Sequence, residues 1–194
     1  MSDPKLISME EKIISAAVDC LEKYGMEGTT NRVIAKAAGI NSAAINYYFR
    51  NKEVLIQKVM EQTMDNAFDW KDLAELPGNT PAERCIGIFN HLIEGGLNYP
   101  GITRAHFHDL LTSGRYDSLV VQRLNQFAVQ LCADLQTRGY KGPRADLELA
   151  CMQIMNAVFM TILVPQLYKK SFGLDLADPA TRLRFIHTLV EKLL

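Results

Sequence analysis

The sequence predicts an all-α fold of about nine helices, and three observations support this prediction. Apolar residues recur along the chain at the three-to-four-residue period of amphipathic helices. No segment shows the sustained apolar–polar alternation, bounded by turn signals, that indicates a half-buried strand. Helix start and stop signals punctuate the apolar pattern at the intervals expected for globular helices.

The first two predicted helices have clear ends. Ser8 with Glu11 three residues later forms a capping-box pattern, and Gly25 can adopt the left-handed conformation that ends a helix near Tyr24. Thr30 is the predicted N-cap of the second helix, which ends at Gly39. The residues expected to face inward from this second helix are Val33, Ile34, Ala37 and Ala38.

Two further helices complete the N-terminal region. Asn41 is the expected cap of a short helix over residues 42–48, and a fourth helix is expected from about Asn51 to Phe68. The segment from Leu76 to Pro81, with two prolines and a glycine, is the clearest break in the chain. The helices predicted beyond it cover residues 81–98, 102–112, 115–138, 146–168 and 179–194. Pro165 is expected to kink or end the fourth of these.

The charge distribution suggests a local anionic partner. The 194-residue chain has a formal net charge of −1, so no global basic field indicates nucleic acid. Between Thr29 and Lys58, however, five cationic residues stand against one anionic residue. This basic N-terminal segment belongs to a chain whose remainder carries an anionic excess.

The cysteines and the hydropathy pattern predict a cytoplasmic protein. None of the four cysteines forms a C-x-x-C pair, and all lie in apolar helical patterns, as expected for buried thiols in a reducing compartment. The first twelve residues lack the apolar region of a signal peptide. No apolar run reaches the roughly 18 residues of a membrane span, so no membrane partner is expected.

Two short helices joined at Gly39 and preceded by a supporting helix predict a helix-turn-helix. The second must present a small, polar face to enter a DNA major groove. Ser42, Ala43, Ala44 and Asn46 supply that face, while Ile45 and Phe49 anchor it. Asn46 can hydrogen-bond a base edge, and the alanine methyl groups can contact thymine methyl groups. From the residues alone, a helical hairpin with a solvated face remains the alternative.

Other polar residues of this region suit phosphate contacts. Tyr47 and Tyr48 carry hydroxyl donors, and Lys52 lies at the start of a helix, where its charge and the terminal amides both favour phosphate. Thr30 offers a further hydroxyl. Arg32, one turn into its helix, can reach either the DNA backbone or a guanine edge.

The segments Thr29–Ile40 and Asn41–Leu55 resemble the helix-turn-helix and following helix of the tetracycline-repressor (TetR/AcrR) family. The resemblance spans roughly residues 10–55, about a quarter of the chain. It implies a DNA-binding domain over residues 1–55 and a divergent helical regulatory and dimerisation domain over residues 56–194. It also implies a homodimer that binds double-stranded DNA at a near-palindromic operator, usually as a repressor released by a small ligand.

The resemblance assigns roles to residues of this chain. Phosphate contacts fall to Thr30, Ser42, Tyr47, Tyr48 and Lys52. Base contacts fall to Arg32, Ser42, Ala43, Ala44 and Asn46. Many family members have a bulky aromatic residue at the position of Asn46, so their base preference does not transfer to this chain.

The C-terminal helices predict an interface between two copies. The 146–168 helix is apolar on nearly every side and must be covered on several sides. Together with the last helix it is expected to form a four-helix dimer interface, which the resemblance also implies; a purely intrachain core is the alternative. The residues expected in this interface are Leu149, Met152, Met160, Ile186, Leu189, Val190 and Leu193.

The resemblance also leads us to expect a cavity for an unidentified small apolar or amphipathic ligand, with a filled core as the alternative. The expected lining residues are Phe89, Leu92, Ile93, Phe107, Leu110, Phe127, Met155, Asn156 and Phe159. Met-rich walls adapt to irregular apolar ligands. No cofactor is expected. His91, His106 and His108 lack the spacing and partners of a metal site and are expected in or beside the cavity.

No catalytic motif is present in the sequence. A cysteine nucleophile needs a positioned base, and these cysteines are expected to be buried. No Ser/His/Asp arrangement or Gly-rich phosphate loop appears. The sequence therefore favours a DNA-binding regulator over an enzyme or a helical adaptor.

Overall fold

The computed structural model describes residues 8–194, and this part of the chain contains eleven α-helices and no strand. The predicted all-α fold is confirmed. The expected absence of a signal peptide concerns residues that lie partly outside this range. The helices are α1 (Met9–Gly28), α2 (Asn31–Ala38), α3 (Ser42–Phe49), α4 (Lys52–Phe68), α5 (Trp70–Glu75), α6 (Pro81–Asn98), α7 (Pro100–Ser113), α8 (Leu119–Thr137), α9 (Arg144–Leu163), α10 (Pro165–Phe172) and α11 (Pro179–Leu193).

The predicted caps of the N-terminal helices are present. The Ser8 hydroxyl accepts the Glu11 N–H at 3.1 Å, and the Glu11 carboxylate accepts the Ser8 N–H at 2.8 Å. Gly39 is left-handed, with φ of 66°, at the end of α2. Gly25 is also at positive φ, 68°, but it interrupts α1 instead of ending it, and helical backbone resumes as far as Gly28. The expected helix end near Tyr24 is thus present as a kink at Gly25, and a short further stretch of helix follows it.

The sequence analysis missed two helices, and several helix boundaries differ from the prediction. The six-residue α5 is too short for a periodic pattern to reveal it. Pro165 is the first residue of the separate helix α10, because a proline at that position needs no N–H donor. The helix expected from Arg115 begins at Leu119, after a turn that follows left-handed Gly114. Helix α7 begins at Pro100, two residues earlier than expected.

The buried side chains form two cores that meet along α7. The N-terminal core joins α1, α2, α3 and the first half of α4, and it includes Ile102 and Ala105 of α7. The second core joins α6, α8, α9 and α11 around Phe89, Phe127 and Ile154. Leu55, Ile56 and Val59 all belong to the N-terminal core, so the predicted division at residue 55 falls within a helix that extends past both cores.

The buried face of α2 differs from the prediction at one position. Ala35, not Ala37, is buried with Ile34 and Ala38, and Ala37 is exposed. At 100° per residue, positions 34, 35 and 38 share one face of a helix, whereas position 37 lies on its border. In an eight-residue helix the contact with α1 selects which border residue is covered.

Helix α9 is the most apolar of the longer helices in the described chain. Leu147, Ile154 and Val158 are buried in the second core, whereas Leu149, Met152 and Met160 are about half exposed. Among the described helices, α9 alone is long and apolar enough to cross a membrane. This is a weak indication, because core helices share that length and composition, and α9 contacts α6, α7, α8, α10 and α11.

A buried arginine organises the second core. The Arg84 side chain is wholly inaccessible to solvent and donates to the carbonyl oxygens of Leu73 and Leu76, both at 2.6 Å. Its Nε also donates to Asp134 Oδ2 at 2.8 Å. Arg138 donates to the same carboxylate oxygen at 3.0 Å and to the Gly78 carbonyl at 2.6 Å. These bonds hold α5 and the following loop against α6 and α8.

Arg84→Met is expected to lower the free energy of unfolding by about 3–5 kcal/mol, because it leaves two buried carbonyl groups without donors and removes one of the two arginines that bind Asp134. Urea denaturation followed by circular dichroism measures the change. Arg144→Met is the matched control. Arg144 pairs with Glu148 on the surface, with 61% of its side chain exposed, and should change stability by no more than about 0.5 kcal/mol. Equal effects of the two substitutions would contradict this role for Arg84.

Candidate nucleic-acid interface

Helices α2 and α3 form a rigid helix-turn-helix. The Gly39 N–H donates to the Ala35 and Lys36 carbonyls, and the Ile40 N–H donates to the Ala35 carbonyl at 3.0 Å. These bonds satisfy the carbonyls at the end of α2 and fix the turn. Ile45 and Phe49 are buried, at 0% and 4% exposure, and anchor α3 on the N-terminal core. The opposite face of α3 is thereby held outward.

That outward face carries the predicted base-reading residues of α3. Ser42, Ala43 and Asn46 are exposed, and Ala44 is half-buried. The Asn41 side chain accepts the Ala43 N–H at 2.9 Å and so caps the helix. Within the described chain, neither Ser42 nor Asn46 uses its side chain in a hydrogen bond. Their polar groups are available to an external partner.

The predicted phosphate-contacting residues surround this face. Tyr47 is 83% exposed and Tyr48 is 43% exposed, with their rings edge to face at 5.1 Å between centroids. Thr30 is exposed, and its oxygen accepts the Val33 N–H at 3.3 Å, which leaves the hydroxyl proton free to donate. Lys52 is half-buried, and its ammonium group lies 3.5 Å from the Met26 carbonyl oxygen.

The positive surface is narrower than the sequence indicates. Lys58 forms an ion pair with Glu10 of α1, so an acidic residue outside the basic segment compensates its charge. Arg32, Lys36 and Arg50 are exposed and form no ion pair with the described residues. Arg50 has a φ of 65° at the end of α3, and this turn allows Asn51 to accept the Val54 N–H at 2.9 Å and cap α4.

A cavity of about 450 Å³ lies between α1, α4, α6, α7, α8 and α9. Of the nine residues expected to line a ligand cavity, Leu92, Phe107 and Phe159 line this one. Its walls also contain Thr63, Tyr99 and two of the histidines noted in the sequence, His91 and His106. Sequence reasoning missed Thr63 and Tyr99, since no local pattern shows which face of α4 and which end of α6 meet this space.

The other expected lining residues lie elsewhere. Phe89, Ile93 and Phe127 are buried in the second core, at 0%, 0% and 1% exposure, because their faces of α6 and α8 pack directly on neighbouring helices. Met155 and Asn156 line a separate cavity of about 380 Å³ between α8 and α9, which Phe159 also borders. Leu110 and His108 are half-buried and line neither cavity.

His106 forms a partly buried hydrogen bond across the cavity wall. Its Nε2 lies 3.0 Å from Thr63 Oγ1, so the bond joins α7 to α4. Burial lowers the pKa of His106 to about 4, and the ring is therefore neutral at pH 7. Within residues 8–194, no group of three or more histidine, cysteine or acidic side chains is arranged to hold a metal ion.

Glu22 joins the N-terminal core to the helix that borders the cavity. Its carboxylate accepts the backbone N–H groups of Gly101 at 2.8 Å and Ile102 at 3.0 Å. These are among the unpaired donors at the start of α7, where no neighbouring side chain supplies a cap. The helices are so close that a Cβ atom on Gly101 would lie 2.6 Å from Glu22 Cα. Because the partners are 79 residues apart, no local sequence pattern indicates this contact.

The cysteines are buried, as expected. Burial raises the pKa of the Cys85 thiol to about 12. Burial, together with the neighbouring Cys132, also raises the pKa of Cys151. These thiols are protonated at neutral pH and are poor nucleophiles.

The expected interface residues divide into two groups. Leu149, Met152 and Met160 form an exposed apolar stripe on α9. The assignment of Ile186 and Val190 to a dimer interface was wrong, since both are fully buried against α6 and α9 within the chain. Leu189 and Leu193 are half-buried and line an open groove beside Phe185.

Comparison with known proteins identifies the class to which this helix-turn-helix belongs. Residues 13–59 match the family model described as bacterial regulatory proteins, tetR family. The regulator RutR of Escherichia coli is 37% identical over 62 residues, which cover 31% of this chain and 29% of RutR. The repressor KstR2 of Mycolicibacterium smegmatis is 27% identical over 82 residues, covering 42% of this chain and 40% of KstR2. The chain therefore matches less than half the length of these relatives.

Solved structures share the fold over almost the whole chain. A TetR transcription regulator from Haloarcula marismortui has a TM-score of 0.74 at 15% identity and covers 95% of this chain and 97% of its own. The fatty acid degradation regulator FadR from Bacillus halodurans has a TM-score of 0.71 at 18% identity, with 96% of both chains covered. The helix-turn-helix residues are therefore similar to those of the tetR family of bacterial regulatory proteins, and the chain as a whole shares its fold with solved TetR-type regulators.

Gly101→Ala is expected to destabilise the protein by about 1–3 kcal/mol, because the added methyl group forces α7 away from the Glu22 backbone. Thermal unfolding followed by circular dichroism measures the effect. Gly95→Ala is the matched control: it lies within α6 with no atom in the way and should stabilise by about 0.5–1 kcal/mol. A neutral Gly101→Ala would contradict the tight contact.

Proposed function

We propose that this protein is a homodimeric, ligand-responsive repressor that binds a near-palindromic site in double-stranded DNA. The observation that carries the proposal is the outward face of α3, whose polar groups have no partners within the described chain and which a buried core holds rigid. The TetR-family match over the same residues supports it. The basic residues around α3 and the family's role in transcription favour a cytoplasmic location.

In this proposal α3 enters the major groove. Asn46 hydrogen-bonds a base edge, and the methyl groups of Ala43 and Ala44 contact bases. The Ser42 hydroxyl hydrogen-bonds either a base or a phosphate. Thr30, Tyr47, Tyr48 and Lys52 bind phosphates, while Arg32 reaches a base or the backbone. Lys36 and Arg50 add unpaired positive charge near the same surface. Few of these side chains read bases through hydrogen bonds, so phosphate contacts supply most of the affinity.

A second copy of the chain completes the DNA-binding unit. The stripe formed by Leu149, Met152 and Met160 is an apolar surface of the kind that a two-fold interface buries. In this proposal, the half-buried Leu189 and Leu193 of α11 also contribute to the interface. Two recognition helices related by this axis should lie about one DNA turn apart, roughly 34–36 Å, which requires a near-palindromic site.

Ligand binding in the 450 Å³ cavity would change the spacing of these helices. Residues 1–55 form the proposed DNA-binding domain and residues 56–194 the regulatory domain. Helix α4 crosses that boundary, and α7 touches both the cavity and Glu22 of α1. A ligand that favours one position of α4 and α7 thus shifts the dimer between two arrangements, only one of which fits DNA.

Lys52→Ala and Tyr47→Phe are expected to weaken binding to all DNA sequences alike, because they remove phosphate contacts. Lys52→Ala should also make the slope of log affinity against log salt shallower by about 0.9. Fluorescence anisotropy with DNA from upstream of the protein's own gene measures both effects. Asn46→Ala should instead change preference at one base pair. Loss of preference with Lys52→Ala, or unchanged preference with Asn46→Ala, would contradict these roles.

Met152→Glu is expected to convert the dimer to a monomer at micromolar concentration, because it places a charge in an apolar interface. Sedimentation velocity measures the change. Leu111→Glu is the matched control, since Leu111 is 70% exposed on α7 and away from the α9 stripe. It should leave the dimer intact. A wild-type chain that sediments only as a monomer would reject the interface.

A further inference from the structure

The described wall of the 450 Å³ cavity lacks permanently charged side chains. Among the described residues that line it, none is aspartate, glutamate, lysine or arginine. Its apolar surface comes largely from aromatic and aliphatic side chains, including Phe68, Phe107 and Phe159. The polar lining side chains are Gln62, Thr63, Asn66, His91, Tyr99, Thr103 and His106. An ionised ligand group would have to leave water without a counter-charge, which is costly.

The α7 N-terminus offers no substitute charge. Helix N-termini bind anions through free N–H groups, but the Glu22 carboxylate already accepts the Gly101 and Ile102 N–H groups. A ligand carboxylate near Ile102 would compete with that carboxylate and be repelled by it. The cavity therefore disfavours anionic ligands, and it also lacks a carboxylate that could pair with a cationic ligand.

The hydrogen bonds of Thr63 determine what His106 presents to the cavity. The Thr63 hydroxyl has one proton and lies 2.8 Å from the Val59 carbonyl, to which it donates. It therefore accepts the bond from His106, whose Nε2 at 3.0 Å must carry a proton. In a neutral imidazole this leaves Nδ1 as a bare acceptor. Nδ1 has no hydrogen-bond partner among the described residues, although His106 lines the cavity.

We infer that the cavity takes an uncharged, largely apolar molecule that carries a hydroxyl group, which donates a hydrogen bond to His106 Nδ1. The inference rests on the proposed function, in which this cavity is the effector site, and it adds the chemical class of the effector. The bond would also place the ligand against the His106–Thr63 link between α7 and α4. Ligand binding and the relative position of α4 and α7 thereby depend on the same side chain, His106.

Matched probes test this class directly. Each probe series is built on one apolar skeleton, either biphenyl or an alkylbenzene from hexyl- to decylbenzene. The three members of a series carry a phenol hydroxyl, a carboxylate or no polar group. Isothermal titration calorimetry with the full chain at pH 7 measures their affinities. In at least one series the phenol is expected to bind about tenfold more tightly than the unsubstituted and carboxylate members, as one satisfied hydrogen bond provides. Equal or tighter carboxylate binding, or no binding of any phenol, would overturn the inference.

Two variants locate the interaction. His106→Phe keeps a ring in the wall but removes Nδ1, so the phenol should lose its advantage over the unsubstituted compound. His108→Phe, on the same helix but outside both cavities, should retain it. Should His106→Phe fail to fold, ¹⁵N spectra of the wild-type histidines decide. The Nε2-protonated form and a shift of the His106 Nδ1 resonance with the phenol support the inference, and the opposite tautomer overturns it.

DNA binding on the same samples separates the two claims. A chain that binds its upstream DNA but no phenol refutes the ligand class and leaves the regulator intact. A chain that binds phenol through His106 but no DNA refutes the proposed function and leaves the cavity chemistry intact.

Discussion

The contact between Glu22 and the start of α7 joins the two halves of this molecule. A carboxylate of the N-terminal core supplies the cap that α7 cannot obtain from its own neighbours, and Gly101 allows the backbones to meet. Because the same helix contributes Ile102 and Ala105 to the N-terminal core and His106 to the cavity wall, α7 belongs to both parts. A change in the position of α7 therefore alters both the packing of the N-terminal core and the shape of the cavity.

Two well-packed cores lie on either side of this junction, and a cavity lies between them. The N-terminal core holds α3 by Ile45 and Phe49, and Arg84 with Asp134 holds α5 and its loop on the second core. Between them lies a cavity whose described wall contains no acidic, lysine or arginine side chain. A DNA-binding protein that a ligand controls requires three parts. These are a rigidly held recognition helix, a second core connected to it and a cavity at the connection.

The local features were predictable from sequence because short-range chemistry specifies them. The caps at Ser8, Thr30 and Asn41 follow from side chains that bond backbone groups a few residues away. The left-handed turn at Gly39 follows from the glycine itself. The exposed residues of α3 could be named because the helix period assigns Ile45 and Phe49 to its buried face. Helix α5 could not be found this way, since six residues show no periodicity.

The long-range features were beyond such reasoning. An apolar residue on an apolar helix is equally compatible with a core, a cavity or an interface, so Phe127 was expected at the cavity and Val190 at the interface, although both are buried in the core. The neutralisation of Lys58 by Glu10, the capping of α7 by Glu22 and the bond between His106 and Thr63 all join residues at least 43 positions apart. The sequence by itself determined the helices, the caps and the outward face of α3, because those depend on neighbours along the chain. Only the tertiary structure decided which apolar faces meet and where space remains between them, because that depends on how whole helices pack.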